Sequence, residues 1–284
     1  MTALHLKPIS VRAAVDAAAE HLVRRPLLVV SDFDGTLSNI VDDPWGASIL
    51  PLGRRALRGL AALEGVHVAV LSGRSSADVA ARVRVGGINY VGNHGMERGF
   101  VPRRGRAERL HPDVDQASHE AIHAAERVGD ELPRLIAEPW LIVERKPPSV
   151  AFHWRQAPDV DQARARVMGA VDALDPDHVL ERFPGRRVLE LRPPGAVAKG
   201  EAFERMVEAW KPRSVFLLGD DVSDAMAFTA LRRLRAQGVT DGVAVAVQAR
   251  AEVPAQVLES ADIVLSSPVD ATRFLSALYR RLAA

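Results

Sequence analysis

Runs of β-branched and aliphatic residues recur along the chain, and most are followed by a stretch whose apolar positions repeat with helical spacing. LLVV at 27–30, HVAVL at 67–71, INYV at 88–91 and VFLL at 215–218 are short, uninterrupted and followed by Gly, Ser or charged residues, the signature of buried strands. GVAVAVQ and DIVLSS supply further strands towards the C-terminal end. The spacing predicts helices over 10–24 with Ser10 as N-cap, over 52–63, over 76–83, over AKGEAFERMVEAW from residue 198, and from about residue 268 onward. Strands alternating with helices predict a parallel sheet built from right-handed crossovers. NIVDDPWGASILP, with Pro44, Gly46 and Pro51, interrupts this pattern after the first strand and reads as a loop or short hairpin.

The rhythm changes after Gly99. VPRRGRAERLHP carries charge, Gly and Pro as a linker does, and HPDVDQASHEAIHAAERVGDEL follows as a helix. LIVERK and SVAFHWR form a strand pair joined by a turn at Pro147 and Pro148, and residues 158–173 read as a helix. HVLERF and RRVLELRP form a second pair across Pro184 and Gly185. This middle region reads as an α+β insertion, which divides the chain into a core of residues 1–103 and 194–284 and an inserted domain of residues 104–193.

Composition narrows the class. A chain of 284 residues with 48% hydrophobic and 26% charged residues has the make-up of a folded globular protein and is long enough for one large domain or two smaller ones. The net charge of +1, without a basic block, speaks against a nucleic-acid partner. No apolar run approaches the length of a membrane span and the N-terminal stretch lacks the apolar centre of a secretory signal, so the expectation is a cytoplasmic monomer with no membrane contact. The absence of cysteine excludes disulfides and thiolate chemistry. Basic residues are almost all Arg, and Lys occurs only at Lys7, Lys146, Lys199 and Lys211. In so Arg-rich a chain a Lys marks a place suited to a compact ammonium rather than a planar fork.

Candidate chemistry sits where strands end. The first strand runs into Asp32 and Asp34, and Gly35 and Thr36 let backbone N–H groups and a hydroxyl face a small anion. Ser72 ends the second strand, to hold a phosphate oxygen or to cap the helix that follows. Lys199 opens a helix after a Pro-rich bend. Asp220 and Asp221 follow VFLLG, with Asp224 one helical turn on.

DFDGT after an apolar strand resembles the first motif of the haloacid-dehalogenase superfamily, and DFDGT, SGR, Lys199 and GDD in this order resemble all four of its motifs. The resemblance implies a doubly wound α/β core in which Asp32 attacks phosphorus and Asp34 is general acid and base, through an aspartyl-phosphate that water hydrolyses. A phosphate dianion about 4 Å from a carboxylate is repelled by roughly 8 kcal/mol at an effective dielectric near 20, so cations are required. Lys199 would supply one. Mg2+, which favours oxygen ligands, would be held by Asp32, Asp220, Asp224 and the carbonyl of Asp34. The insertion lies where the superfamily carries caps of the C2 type.

A narrower resemblance covers nearly the whole chain. DGTLSNIVDDP, LSGR, VGNHGME, ERKPPSVAFHWR, LELRPPGAVAKG and GDDVSDAMAF are similar to segments of the trehalose-6-phosphate phosphatases. This implies a sugar phosphate as substrate, with Asn93 and His94, and on the cap Lys146, His153, Arg155 and Glu190, as substrate-binding residues. The family's acidic run after GDD is usually Thr-Asp-Glu-Asp, whereas here it is Ser223, Asp224, Ala225 and Met226. The expected activity is release of trehalose from trehalose 6-phosphate. Phosphatases of sucrose phosphate or mannosylphosphoglycerate, and a catalytically silent sugar-phosphate sensor, are the rival readings. HEAIH at 119–123 also fits the zinc-protease pattern HExxH, with His119 and His123 on one helix face, but no third ligand is apparent nearby.

Overall fold

In the computed structural model, residues 6–41, 43–106, 110, 113–114, 119–146, 148–195, 197–250 and 253–284 are described. The chain forms two compact units, one of residues 1–114 and 197–284 and the other of residues 115–196.

The first unit begins with α1 (Val11–Ala17), capped by the Ser10 hydroxyl as its residue type predicts. The expected helix over 10–24 is shorter, because the chain turns at Ala18 into a 3-10 turn at Ala19–His21 that buries His21. Next come β1 (Leu27–Ser31), α2 (Pro51–Ala62), β2 (Val66–Leu71), α3 (Ser76–Val83) and β3 (Ile88–Gly92). The segment between β1 and α2 holds a 3-10 turn at Pro44–Gly46 in place of a hairpin, with Asp43 accepting from the Trp45 N–H. Two further strands are unexpected: β4 (Glu97–Val101) leads into the linker of residues 101–112, and β5 (Asp113–Val114) falls within the segment 111–132 that reads as a helix. Residues 107–109, 111 and 112 of that linker are outside the described residues.

The second unit holds α4 (His119–Leu135), β6 (Ile142–Lys146), β7 (Ser149–His153), α5 (Val160–Leu174), β8 (Glu181–Gly185) and β9 (Val188–Arg192). Residues 111, 112 and 115–118 of the helix expected over 111–132, and Pro147 of the β6–β7 turn, are outside the described residues. Pro184 and Gly185 are part of β8 rather than the turn, which lies at residues 186–187. The sheet order is β6-β7-β9-β8, all antiparallel, so Pro184 sits on an edge strand where its missing N–H costs no central ladder bond. Val150, Phe152, Leu189 and Leu191 pack with α4 and α5 residues such as Val128, Leu132, Val167 and Val171. The opposite face of this sheet carries Glu144, Lys146, His153, Glu190 and Arg192, as the alternation of strand residues requires.

The chain returns to the first unit with α6 (Lys199–Trp210), β10 (Ser214–Gly219), α7 (Val222–Ala236), β11 (Asp241–Val247), α8 (Ala255–Ser260), β12 (Ile263–Leu265) and α9 (Pro268–Ala283). The sheet order is β12-β11-β10-β1-β2-β3-β4-β5, parallel from β12 to β3 and antiparallel beyond. Leu27, Val29, Phe216 and Leu218 face one helical layer, with Leu57 of α2 and Phe274 of α9. Leu28, Val30, Val215 and Leu217 face the other, with Phe203 of α6 and Phe228 of α7. Burial on both faces explains why these strands are unbroken apolar runs, and the fold is the expected doubly wound α/β core with an α+β insertion in its sequence. The strand order reverses about β1, which has β2 on one side and the later β10 on the other, so the crevice beyond their carboxyl ends is the place for a site.

Gly242 sits in β11 with φ +142, and a Cβ there would lie 2.1 Å from the Val215 carbonyl oxygen of the neighbouring strand. Gly242→Ala is therefore expected to lower stability by about 3 kcal/mol, read as a fall in the urea unfolding midpoint. An unchanged midpoint would contradict this packing.

Candidate active site

Parallel pairing of β1 with β10 brings their carboxyl ends side by side, and the Asp32 N–H continues the ladder by donating to the Leu218 carbonyl at 2.9 Å. Asp32 leaves β1, Asp220 leaves β10, and Asp224 lies in the first turn of α7. All three are at most 9% exposed, and each brings an oxygen to within 4.8 Å of the others. Gly35, at φ +77, passes so close that a Cβ would lie 2.3 Å from an Asp220 carboxylate oxygen. Only glycine fits there.

Lys199, the first residue of α6, is 2% exposed and donates from Nζ to Asp32 Oδ1 at 2.8 Å and Asp224 Oδ1 at 2.7 Å. Asp224 has a second task. Its Oδ2 accepts the N–H groups of Asp220 at 3.0 Å and Asp221 at 3.2 Å, while Asp221 Oδ1 accepts the Asp224 N–H at 3.1 Å. This reciprocal capping box fixes the start of α7 and with it the carboxylate that meets Lys199.

Burial dominates the electrostatics. It pushes Asp32 up to about 6 against the pull of Lys199, with Asp221 and Asp34 adding repulsion. Burial raises Asp220 well above the ordinary range, reinforced by Asp32, Asp224 and Asp221, and it raises Asp224 despite Lys199. Lys199 itself is raised: burial alone would lower it, but Asp224, Asp32 and Asp221 outweigh burial and keep it charged. A crowded set of buried oxygen donors with one ammonium matches the donor chemistry of a hard divalent cation.

Asp34 does not turn its carboxylate to this cluster. Arg74 grips it with Nε on Oδ2 at 2.6 Å and Nη2 on Oδ1 at 2.9 Å, and reaches Asp78 Oδ2 at 3.1 Å with Nη1. The Arg74 guanidinium lies 5.6 Å from the centre of the Phe33 ring. The SGR motif by itself assigns no role to its Arg; the pairing links residues forty positions apart, and only the adjacency of β1 and β2 makes it visible. Ser72 Oγ accepts the Arg74 N–H at 3.1 Å, and the N-cap of α3 is Ser75 rather than Ser72. The Thr36 hydroxyl is buried without a hydrogen-bond partner among the described residues.

Asn93 and His94 form a left-handed turn after β3, with φ 47 and 58, and their N–H groups donate to the Arg74 carbonyl at 2.8 Å and the Ser72 carbonyl at 3.0 Å. Such a conformation costs a non-glycine residue on the order of 1–2 kcal/mol, least for Asn. On the second unit, Lys146 Nζ lies 3.2 Å from Glu190 Oε2, Arg192 donates to the same oxygen at 3.1 Å, and His153 Nε2 lies 2.9 Å from Glu144 Oε2. Arg155 follows β7, and its carbonyl accepts from Arg187 at 3.4 Å. Glu144 and Arg192 have the strand parity of Lys146 and Glu190, the signal that would have found them.

Ala225 packs in the core against α6 and Met226 is half exposed on α7, so the three-carboxylate cluster forms without acids at these positions. His119, Glu120 and His123 are exposed on α4, and His123 lies 3.5 Å from Glu126. Among the described residues Asp32, Asp220 and Asp224 are the one group able to hold a metal, so HEAIH gains no third ligand. No helix of the described residues is long and apolar enough to cross a membrane.

The trehalose-phosphatase family model matches residues 30–258. A trehalose-phosphate phosphatase of Mycobacterium avium (strain 104) is 38% identical over 234 residues, covering 80% of this chain and 56% of that protein. The chain thus spans about half the length of the curated relatives it matches. Among solved structures, the C-terminal domain of a C. albicans trehalose-6-phosphate phosphatase superposes with a TM-score of 0.74 at 21% identity, covering 98% of this chain and 99% of that one. A haloacid dehalogenase-like hydrolase from Bacteroides thetaiotaomicron gives 0.55 at 16% identity, covering 89% and 98%. These structures support the fold.

The electrostatics predict that Asp220→Asn relieves like-charge crowding. A carboxyl whose folded pKa lies above 3.8 costs stability once pH exceeds that value, so in chelator the variant should gain on wild type as pH rises from about 4 towards 7. The gain should be present at pH 7 as a higher urea midpoint of the variant, and added Mg2+ should stabilise wild type but not the variant. A variant less stable than wild type in chelator would contradict the crowding.

Proposed function

The chain belongs to the trehalose-phosphatase family, and from that premise we propose that it hydrolyses trehalose 6-phosphate to trehalose and phosphate through an aspartyl-phosphate on Asp32. The observation that carries the reading is the buried Asp32–Lys199–Asp224 chain beside Asp220. A structural ion pair needs no third carboxylate crowded against it, whereas a site that takes in a phosphate dianion and a cation does.

Asp32 is the nucleophile. Lys199 orients its Oδ1 and places a fixed positive charge in a desolvated pocket, where it opposes the charge of the incoming phosphate more strongly than in water. Mg2+, held by Asp32, Asp220 and Asp224 when bound, would supply Lewis-acid stabilisation of the transferring phosphoryl group. Asp34, 41% exposed at its side chain, gives a proton to the leaving sugar oxygen and later takes one from the water that cleaves the aspartyl-phosphate. Arg74 keeps the Asp34 carboxylate from turning towards the cluster between these steps.

Specificity is assigned to the charged sheet face of the second unit. Sugar hydroxyls need directional partners, and Lys146, His153 and Glu190 offer donors and acceptors held in place by neighbours of opposite charge. Arg155, Asn93 and His94 complete the proposed substrate-binding set. A phosphate-release panel across trehalose 6-phosphate, sucrose 6-phosphate, mannosylphosphoglycerate and glucose 6-phosphate tests the substrate. The highest kcat/KM is expected for trehalose 6-phosphate, and a tenfold preference for another member would replace this reading with that phosphatase.

Two variants separate chemistry from recognition. Asp32→Asn is expected to leave the circular-dichroism spectrum intact and abolish turnover, because an amide does not form the acyl-phosphate; near-normal turnover would overturn the mechanism. Glu190→Ala is expected to cost about 2 kcal/mol in kcat/KM for trehalose 6-phosphate and little for p-nitrophenyl phosphate. Equal losses on both substrates would remove Glu190 from sugar recognition.

A further inference from the structure

Glu97 is a buried carboxylate that the proposed chemistry does not use, at 5% exposure on the first residue of β4. It joins three pieces of chain. Oε2 accepts the N–H of Ser76 at 2.7 Å and its hydroxyl at 2.8 Å, and Oε1 accepts from Asn93 Nδ2 at 2.6 Å. Ser76 opens α3, immediately after the loop that carries Ser72 and Arg74. Asn93 opens the left-handed turn that also holds His94.

The same two loops are laced together by backbone. Asn93 N–H meets the Arg74 carbonyl, His94 N–H meets the Ser72 carbonyl, and a Cβ on Gly73 would lie 2.7 Å from His94 Nε2. Arg74 in turn holds both oxygens of Asp34. A displacement of either loop therefore reaches the Asp34 carboxylate through one side chain. The turn is unfavourable in itself, with left-handed backbone at Asn93 and His94, and conformations of this kind persist only where surrounding bonds over-determine them. Both oxygens of Glu97 serve that end. An amide in its place has one acceptor, and its NH2 group would confront a donor from Ser76 or Asn93.

We propose that Glu97 is a positioning residue for phosphoryl transfer, fixing through Ser76 and Asn93 the loops that place Arg74, and through Arg74 the carboxylate of Asp34. The inference rests on the phosphatase reading for its assay and not on the identity of the sugar. It differs from a purely structural role in what it moves: Glu97 touches no substrate in this account, so with p-nitrophenyl phosphate, which has no sugar for Asn93 and His94 to bind, KM should hold while kcat falls, beyond what loss of stability explains.

The test compares E97Q with Y90F, using p-nitrophenyl phosphate and trehalose 6-phosphate. Tyr90 is also buried on β3 and its hydroxyl donates to the Val85 carbonyl at 2.7 Å and accepts the Val85 N–H at 3.2 Å, so Y90F loses buried hydrogen bonds without touching the 72–74 loop. With assays at equal intervals below each melting temperature, E97Q should lose at least tenfold in kcat on both substrates, with KM for p-nitrophenyl phosphate within twofold of wild type. Y90F should keep wild-type kcat. If E97Q keeps its kcat, or loses no more than Y90F, the proposal is overturned. Should E97Q fail to fold, S76A decides, since it removes a single bond: about a threefold loss of kcat at constant KM for p-nitrophenyl phosphate is expected, and wild-type kcat overturns the proposal. Turnover that survives Asp32→Asn would instead sink the phosphatase reading, independently of Glu97.

Discussion

The bond on which the rest of the molecule depends is the one from the Lys199 ammonium to Asp32 and Asp224. Taking a lysine and several carboxylates out of water is costly, and Lys199, Asp32 and Asp224 offset part of that cost by meeting at hydrogen-bond distance. The balance is incomplete. Three carboxylates face one ammonium, and the remainder appears as the raised Asp32, Asp220 and Asp224. A divalent cation would offset that excess, so the cluster is a poor stabiliser of the fold by itself and is compatible with a metal site.

The fold exists to bring those groups together. Asp32 comes from an element far in sequence from the consecutive elements that carry Lys199 and Asp220, and each is aimed by the element it begins or ends. Parallel pairing of β1 with β10 sets the two strand-end carboxylates side by side, and the capping box of α7 sets Asp224 against Lys199. The glycine at residue 35 leaves room for Asp220 where any side chain would collide. Sequence, local geometry and charge thus agree at this point, and their agreement is stronger than any one motif.

Much of this was legible in the sequence for a physical reason. The central strands are buried on both faces and so appear as unbroken apolar runs, and the site residues sit at their ends, where a carboxylate after a run of Val and Leu stands out. β4 was not legible, because Glu97, Arg98 and Gly99 break the apolar pattern, and Glu97 is inside only because Ser76 and Asn93 supply its hydrogen bonds. Pro184 and Gly185 read as a turn, since local propensity does not reveal that β8 is an edge strand. The Ala-rich stretch from residue 10 has helical propensity throughout, yet tertiary packing ends the helix at Ala17. The grip of Arg74 on Asp34 is set by the register of neighbouring strands, to which a single sequence is blind.

The central claim is that Asp32 becomes phosphorylated. Asp34→Asn should slow hydrolysis of the intermediate, so acid quench of this variant during turnover of p-nitrophenyl phosphate, followed by borohydride, should convert the phosphorylated aspartate to homoserine. Peptide mass spectrometry is predicted to find homoserine at position 32, dependent on substrate. Modification at another residue, or none in a variant that still releases nitrophenol in a first turnover, would contradict the account.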